Sequence, residues 1–391
     1  MAKKKICFVV AAPTSADGFL TEQIILLRRE YDVYLAANGE YGDQWKNVDI
    51  NDFYSFPIMR KISLWKDIKA VVALTRYFRT MEFDAVHSIT PKAGLICALA
   101  SFFANIKHRS HTFTGQVWAT RKGLMRKLLK SLDWVTAHLD NHIFTDGEGQ
   151  RQFLISEGVV SEKKSCVLAK GSICGIRTDR FVPSQEMRSA KRKELGIKDD
   201  QVVFIFIGRL NRDKGCYELL SAFNSLVKDC PKAYLLMFGG DEEGISPTFP
   251  NYSNLKDKEN FYYYGFSSEI YNMLQAGDVF VLPTYREGFG VSVIEAQALA
   301  LPVITSDAYG VVDASVENIT GLRHPVGDAA ALENCMRKLY ENPDLRKDLG
   351  QKGRERILSD FRSEVVANAW LDLYHKLLNE PKDNGNNKRI P

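Results

Sequence analysis

The sequence predicts an α/β protein with two domains, each built around a parallel sheet. Its 391 residues exceed what one hydrophobic core usually organises, which favours two domains of ordinary size. Short runs rich in β-branched and aromatic residues alternate with longer amphipathic stretches, as is typical of a parallel sheet covered by helices. A second series of strands starts afresh at Val202, so we expect two sheets rather than one.

The individual strands are predicted from these apolar runs. In the first series they span residues 5–11, 33–36, 85–89, 109–113, 142–145 and 166–168. In the second series they span residues 202–207, 234–238, 261–264, 279–282 and 303–305.

Composition predicts the domain boundaries. Residues 1–170 form the expected N-terminal domain and residues 199–360 the second, because 170–198 mix glycine, proline and charge without a long apolar run. Apolar residues recur at helical spacing over residues 363–379, and a helix in this position often crosses back to the first domain. Residues 380–391 have nothing to bury, so we expect a disordered tail.

Composition also excludes several classes of protein. Apolar residues make up 45% and charged residues 26%, which is the mix of a soluble globular protein. No run approaches the roughly 20 apolar residues of a membrane-crossing helix, so membrane contact would be peripheral. The seven cysteines form no CxxC pair, which argues against a disulfide framework and a zinc site and favours a reducing cytoplasm.

Charge is unevenly distributed along the chain. Residues 1–180 carry 26 Lys and Arg against 18 Asp and Glu, whereas residues 181–391 carry 26 against 30. The basic half is expected to meet phosphates or an acidic membrane surface, and the alternative is a solvated face. Nucleic acid is the weaker candidate, because the sequence contains no zinc-finger, RNA-binding or helix-turn-helix pattern.

The first candidate site follows the strand predicted at 202–207. Gly208-Arg209 and Lys214-Gly215 lie in a strand-to-helix turn, and such turns form the ligand-binding edge of a parallel sheet. The guanidinium of Arg209 and the ammonium of Lys214 suit a diphosphate. The alternative is a solvated loop whose basic residues occur by chance.

The second candidate site follows the strand predicted at 279–282. A glycine turn, Gly288 to Gly290, precedes a helix whose free N–H groups suit an anion. Carboxylates beside a phosphate site are useful when they accept hydrogen bonds from hydroxyls, so Glu287 and Glu295 predict a sugar and a ribose. Glu295 as a mere surface carboxylate is the alternative, which its apolar neighbours disfavour.

These residues resemble the signature of the family-4 retaining glycosyltransferases. The resemblance covers roughly residues 200–325 and keeps the family order. It extends through Gly239-Gly240-Asp241, Tyr264-Gly265-Phe266, Ala300-Leu301-Pro302-Val303, Asp307 with Gly310, and Thr320-Gly321.

The resemblance implies a GT-B fold, in which two Rossmann-like domains face each other across a cleft. It also implies a nucleotide-diphosphate sugar donor, with Arg209 and Lys214 on the diphosphate, Glu287 on the sugar hydroxyls and Glu295 on the ribose. The other donor-site residues that it implies are Gly208, Gly265, Gly288, Phe289 and Gly290.

The first half resembles a bacterial branch of this family that builds lipid-linked surface polysaccharide such as capsule or O-antigen. The marks are the segments 87–94, 111–118 and 171–175. Thr90 is expected to cap a helix that starts at Pro91, so that Lys92 faces an acceptor phosphate.

Gln116 is a further acceptor-side candidate. His111 is assigned to the donor sugar or acceptor, and the alternatives are a structural hydrogen-bonding histidine and, for Lys92, an exposed helix lysine.

Three positions depart from the pattern of the branch. Many relatives have histidine where this chain has Thr114, and related enzymes often have other residues at Cys174 and Arg177. The loop after the first strand offers only Gly18, which leaves its part in the donor site open.

The mechanism implied by the family is front-face transfer with retention, in which the leaving phosphate helps to deprotonate the acceptor hydroxyl. The chain has no Asp-x-Asp motif, so we expect no metal cofactor. The branch favours a UDP-linked donor, with an N-acetylated hexose as one candidate, and a lipid-linked saccharide acceptor. The rival classes are a GT-B nucleotide-sugar epimerase and a non-catalytic sugar-nucleotide or membrane-surface binding protein.

One basic segment predicts membrane contact. Over residues 121–132, leucines and a methionine share one helical face and five basic residues supply charge that an anionic membrane would attract. The alternative is a core-packed helix with a solvated basic side.

Overall fold

The computed structural model describes residues 2–40, 50–58 and 63–379. The chain divides into two compact units. Unit 1 comprises the residues up to Gly175 together with those from Ser363 onward, and unit 2 comprises Ile176–Arg362. The predicted tail, residues 380–391, lies outside the described residues.

Unit 1 is a parallel sheet covered by helices. In its described residues the strand order is β3-β2-β1-β4-β5-β6-β7, and every pairing is parallel. The elements are β1 (Lys5–Val9), α1 (Pro13–Leu27), β2 (Asp32–Ala37), β3 (Asp52–Ser55), α2 (Leu64–Met81), β4 (Ala85–Ile89), α3 (Pro91–Phe103), β5 (His108–Phe113), α4 (Gly123–Leu139), β6 (His142–Thr145), α5 (Glu148–Ser156), β7 (Ser165–Val167) and α12 (Ser363–Asn379).

Helix α12 completes the core of unit 1 although it follows unit 2 in the chain. It packs against α1, and its Trp370 and Tyr374 are buried beside Phe8 of β1. The hydroxyl of Tyr374 lies 3.0 Å from Nδ1 of His87, which stacks on Trp370. These contacts bury a large apolar area, so α12 stabilises the sheet that begins with β1.

Unit 2 is a second parallel sheet. In its described residues the strand order is β10-β9-β8-β11-β12-β13. The elements are α6 (Gln185–Glu194), β8 (Val202–Ile207), α7 (Cys216–Leu226), β9 (Ala233–Phe238), β10 (Phe261–Gly265), α8 (Ile270–Leu274), β11 (Val279–Leu282), α9 (Val291–Ala298), β12 (Val303–Ser306), β13 (Gly321–His324), α10 (Ala329–Glu341) and α11 (Pro343–Asp360).

Residues 176–198, predicted as linker, lie within unit 2. Helix α6 occupies ten of them, and its Arg188 and Arg192 ion-pair with Asp278 at 2.6 and 3.2 Å. This charged helix is therefore held by ion pairs to the segment before β11, rather than by an apolar face that a sequence pattern would reveal.

Two strands of the structure, β3 and β13, are not among the predicted ones. Both are short edge strands, and β3 has no fully buried residue. Edge strands lack the continuous apolar run of a strand buried on both faces, so the pattern that reveals the central strands is weak there.

No helix in the described part of the chain is long and apolar enough to span a membrane.

Candidate active site

The loops that follow β8 and β11 lie side by side at the carboxyl edge of the unit 2 sheet. These two strands are neighbours and run parallel, so the segments after Ile207 and Leu282 leave the sheet at the same edge. Ligands of open α/β sheets bind at this edge, where the strand order changes direction.

Two glycines allow the backbones of these loops to touch. A side chain at Gly215, which has φ +70°, would clash with the carbonyl oxygen of Pro283. A side chain at Gly310 would clash with the carbonyl oxygen of Glu287. The glycines therefore let the loops after β8, β11 and β12 pack closely, which fixes the side chains that they carry.

Asp213 fastens the loop after β8 to the loop after β11. Its carbonyl oxygen accepts hydrogen bonds from the amide of Tyr285 at 2.8 Å and the hydroxyl of Thr284 at 2.9 Å. Its carboxylate pairs with the guanidinium of Arg286 at 2.7 Å. These partly buried bonds orient the next residue of each loop, Lys214 after Asp213 and Glu287 after Arg286.

Lys214 and Glu287 form a direct ion pair between the two loops. Their side chains are only 18% and 14% exposed, so the charges meet in a partly desolvated place. The two predicted site residues, 73 positions apart in sequence, are thus brought into contact. An ammonium and a carboxylate side by side offer donors to an anion and acceptors to a hydroxyl.

Arg209 lies at the start of the loop after β8. Its guanidinium contacts both carboxylate oxygens of Glu242 at 2.9 and 3.0 Å, and Asn211 donates to the same carboxylate at 2.9 Å. The Arg209 side chain is 49% exposed, so it is open to a ligand from solvent. Glu242 is absent from the predicted site, although it directly follows the Gly239-Gly240-Asp241 motif.

The glycines of the donor motif support backbone contacts at the same edge. The amide of Gly208 donates to Phe238 at 3.0 Å, and a side chain at Gly239 would clash with the carbonyl oxygen of Gly208. Gly239 donates in turn to Gly265 at 2.8 Å. Backbone hydrogen bonds at these glycines therefore link the ends of β8, β9 and β10.

Helix α9 begins at the glycine turn, as the sequence predicts. Gly290 is its N-cap residue with φ +92°, a conformation that favours glycine, and Gly288 precedes it in the turn. Phe289 is 2% exposed and packs against Phe361. Its side chain is thus a core residue, which leaves only its backbone for a ligand.

Glu295 lies on α9 and is partly buried. Burial raises the pKa of this carboxyl to about 7, and the charge of Arg180 opposes that rise. A carboxyl with such a pKa changes its hydrogen-bonding character near neutral pH, because only the ionised form is acceptor-only.

The acceptor-side residues lie in unit 1 and are engaged differently. Thr90 occupies the N-cap position of α3, with Pro91 next to it, but its hydroxyl makes no capping hydrogen bond. Its φ of 78° is unusual for a β-branched residue. The predicted cap is therefore wrong in its bonding, and Lys92 pairs with Asp67 of α2 at 2.8 Å.

His111 is fully buried within unit 1. Its Nδ1 lies 2.8 Å from Oγ of Ser88, and a side chain at Gly94 would clash with its ring. Burial lowers the pKa of this imidazole to about 3, so it is neutral at physiological pH. Its Nε2 has no hydrogen-bond partner among the described residues, and its assignment to the donor sugar or acceptor stays a prediction. Gln116 is also buried and accepts a hydrogen bond from Gln150 at 3.4 Å.

Comparison with known proteins bears on this site. Residues 187–356 match the profile of a family described as Glycosyl transferases group 1, and the match lies inside unit 2. Over 380 residues the chain is 29% identical to the capsular polysaccharide biosynthesis glycosyltransferase CapM of Staphylococcus aureus, covering 97% of this chain and 99% of that protein.

A second relative is the UDP-Gal:alpha-D-GlcNAc-diphosphoundecaprenol alpha-1,3-galactosyltransferase of Escherichia coli. The identity is 25% over 361 residues, covering 91% of this chain and 92% of that protein. Among solved structures, HepE of Anabaena in complex with UDP-glucose has a TM-score of 0.78 at 17% identity, covering 95% of this chain and 99% of that one.

The two parallel-sheet α/β units and their structural neighbours define a protein of the GT-B fold. The chain is similar to glycosyltransferases over nearly its whole length, and residues 187–356 of unit 2 match the group 1 profile.

Proposed function

We propose that the chain is a family-4 retaining glycosyltransferase that moves a sugar from a UDP-sugar to a lipid-linked saccharide during surface polysaccharide synthesis. The reaction would take place at the cytoplasmic face of the membrane. The observation that carries the proposal is the ion pair of Lys214 with Glu287, which joins two loops that Asp213 also connects, at the ligand-binding edge of unit 2 where Arg209 lies too.

Each of these residues has a chemical role in the proposal. Arg209 and Lys214 neutralise the diphosphate as it leaves, Glu287 accepts hydrogen bonds from the donor sugar, and Glu295 accepts them from the ribose. Two fixed cations supply the charge stabilisation that a metal ion gives other transferases, so transfer is proposed to be metal-independent.

The proposed chemistry is a front-face substitution. The bond from the anomeric carbon to the diphosphate oxygen breaks, and the acceptor oxygen forms its bond on the same face. The proton of the acceptor hydroxyl passes to the departing phosphate oxygen, which gains the electron pair of the broken bond. Configuration is therefore retained without a covalent enzyme intermediate.

The relatives support the choice of substrates. The names of two of them specify capsular polysaccharide biosynthesis and transfer from UDP-Gal to a diphosphoundecaprenol-linked sugar, and the solved structure of HepE contains UDP-glucose. We extend to this chain the UDP-linked donor and the lipid diphosphate acceptor. An N-acetylated hexose is our first candidate for the sugar.

The test is transfer from a panel of labelled UDP-sugars to a lipid diphosphate saccharide. We expect a product whose new linkage has the anomeric configuration of the donor, established by NMR, and a rate unchanged by EDTA. An inverted linkage would overturn retention, and loss of transfer in EDTA that magnesium restores would overturn the cationic phosphate site. Conversion of the donor sugar without acceptor would instead identify an epimerase.

A further inference from the structure

Unit 1 exposes apolar side chains on the first turns of α2. Leu64, Ile68 and Val72 are 76%, 54% and 44% exposed, at a spacing that places them on one helical face. Exposed apolar clusters on a soluble protein mark surfaces that bind a partner or a lipid.

Helix α4 exposes a second apolar set. Leu124, Met125 and Leu128 are 84%, 51% and 51% exposed, whereas the core side of the helix carries residues such as Asp133 and Thr136. The alternative of a core-packed apolar face is therefore wrong for these three residues.

The predicted basic side of α4 is only partly available to a membrane. Arg126 and Lys130 pair with Glu157 at 2.7 Å and lie over the ring of Trp118. The segment thus has fewer available cations than its sequence indicates, while the three exposed apolar side chains remain.

A cavity of about 1090 Å³ separates the two exposed faces. Helix α3 forms its floor with Leu95 and Leu99, α2 lines one side with Ile68 and Val72, and α4 lines the other with Met125. We call this cavity the apolar groove. Its size and apolar lining are typical of a ligand site rather than of a packing defect.

The apolar groove runs along α3, because that helix is its floor. Helix α3 follows β4, so it starts at the carboxyl edge of the sheet, and its 13 residues extend about 20 Å to the opposite edge. Lys92 lies at the starting end and Phe103 at the far end. Concave shape and length suit one extended hydrocarbon chain.

Basic residues line both ends of the groove. Arg76 and Arg79 of α2 lie toward the far end, where Arg79 donates to the carbonyl oxygen of Phe103 at 2.8 Å.

At the starting end Lys92 and Asp67 offset each other in an ion pair, whereas Arg121 makes no ion pair within the described residues. Burial raises the pKa of Asp133 to about 7, so this carboxyl carries only part of a negative charge at neutral pH. Arg121 therefore leaves the starting end with a net positive charge, which suits a phosphate.

We propose that the apolar groove binds the hydrocarbon chain of a polyprenyl phosphate, with the phosphate at Lys92 and Arg121. The natural ligand is the lipid end of the acceptor, so the identity of the ligand rests on the proposed function. The three-walled apolar channel and the ion-pair-free guanidinium of Arg121 at its starting end favour a single lipid over a flat bilayer surface, which would contact the protruding side chains instead.

The experiment compares vesicle binding by the full chain and two matched variants. Undecaprenyl phosphate in phosphatidylcholine vesicles is the probe, and phosphatidylglycerol at equal surface charge is the reference lipid. Ile68→Glu places a charge inside the groove, and Leu124→Glu places the same charge on an exposed aliphatic residue outside it.

We expect at least tenfold tighter binding to the polyprenyl phosphate than to phosphatidylglycerol. Ile68→Glu should abolish this preference, and Leu124→Glu should leave it intact. Equal binding to both lipids, or equal loss in both variants, would overturn the proposal in favour of a bilayer surface. A dimer that Ile68→Glu dissociates would overturn it in favour of a second copy.

A second measurement separates this proposal from the proposed function. Binding is measured without donor, so specific lipid binding without any transfer would contradict the function and leave the groove assignment intact. Transfer with a KM that is the same for acceptors with a long polyprenyl chain and a short alkyl chain would support the function and overturn the groove. Filling the groove by Leu99→Trp should raise KM for the long-chain acceptor alone.

Discussion

The residues predicted for the active site have very different surroundings in the two units. In unit 2 the predicted charges meet: Lys214 contacts Glu287, and Arg209 lies on the same sheet edge with half of its side chain exposed. In unit 1 the predicted residues are engaged in the fold, with His111 buried and Lys92 paired to a neighbouring helix.

Topology explains the contrast. The loops after neighbouring parallel strands must emerge together, so charged residues that follow strands in sequence converge in space. The acceptor-side residues lie partly inside elements, where packing decides their environment. His111 is the fourth residue of β5 and is covered by Gly94 of α3, which no spacing along the chain reveals.

The largest expected effect comes from removing a cation of unit 2. Lys214→Ala and Arg209→Ala should each cost about 2–4 kcal/mol of transition-state stabilisation, because each removes one electrostatic stabiliser of the leaving diphosphate. The measurement is kcat/KM for donor and acceptor, with circular dichroism as the check on folding.

Lys232→Ala is the matched control, since this exposed lysine pairs only with Asp200 at 3.0 Å in the described chain. It should keep its full rate. Near-normal turnover in Lys214→Ala or Arg209→Ala would remove that residue from the proposed site.

The next effect tests the packing of unit 1. Gly94→Ala should lower the free energy of unfolding by about 1–3 kcal/mol, because the added methyl group overpacks the buried ring of His111. Chemical denaturation measures it. Gly18→Ala is the control, since nothing lies within 4 Å of its added methyl group and alanine favours a helix. Equal stability of both variants would show that the His111 ring has room to move.

A smaller effect concerns Glu295 and pH. Its pKa is raised to about 7, so the carboxylate that accepts from the ribose is lost as the pH falls below that value. UDP should therefore bind about 3- to 10-fold more weakly at pH 6 than at pH 8, beyond any change from the ligand itself. Calorimetry with Glu295→Gln supplies the control. An identical pH dependence in the variant would exclude Glu295 from the ribose site.

The smallest expected effect on catalysis is that of His111→Gln. A buried neutral histidine whose Nδ1 meets the hydroxyl of Ser88 should leave kcat within about threefold once folding is intact, well below the contribution of a general base. A hundredfold fall in kcat with unchanged folding would support the assignment of His111 to the donor sugar or acceptor.

The same variant has a signature in stability. The folded pKa of His111 is lowered to about 3 whereas an unfolded imidazole protonates near 6.5, so stability is complete above about pH 6.5 and falls as the pH drops toward 3. The urea midpoint of His111→Gln should fall less steeply over that range.

Sequence patterns predict the central strands well, since β8 and β11 are continuous buried runs that match the expected 202–207 and 279–282. Sequence patterns fail where an element is stabilised by contacts with other elements rather than by its own apolar face. Helix α6 contains only Met187 and Ala190 as apolar residues and depends on ion pairs to Asp278. Glu242 belongs to the cluster around Arg209 through contacts between loops, which a linear motif does not encode.

The position of α12 has a consequence for how the chain matures during synthesis. Translation delivers all of Ile176–Arg362 before Ser363–Asn379 leaves the ribosome, so unit 2 has its whole sequence while the apolar face of β1 and α1 still lacks Trp370 and Tyr374. Domains usually fold in order of emergence. Here the first unit can complete its core only after the whole of the second has been synthesised, because the helix that carries Trp370 and Tyr374 emerges last.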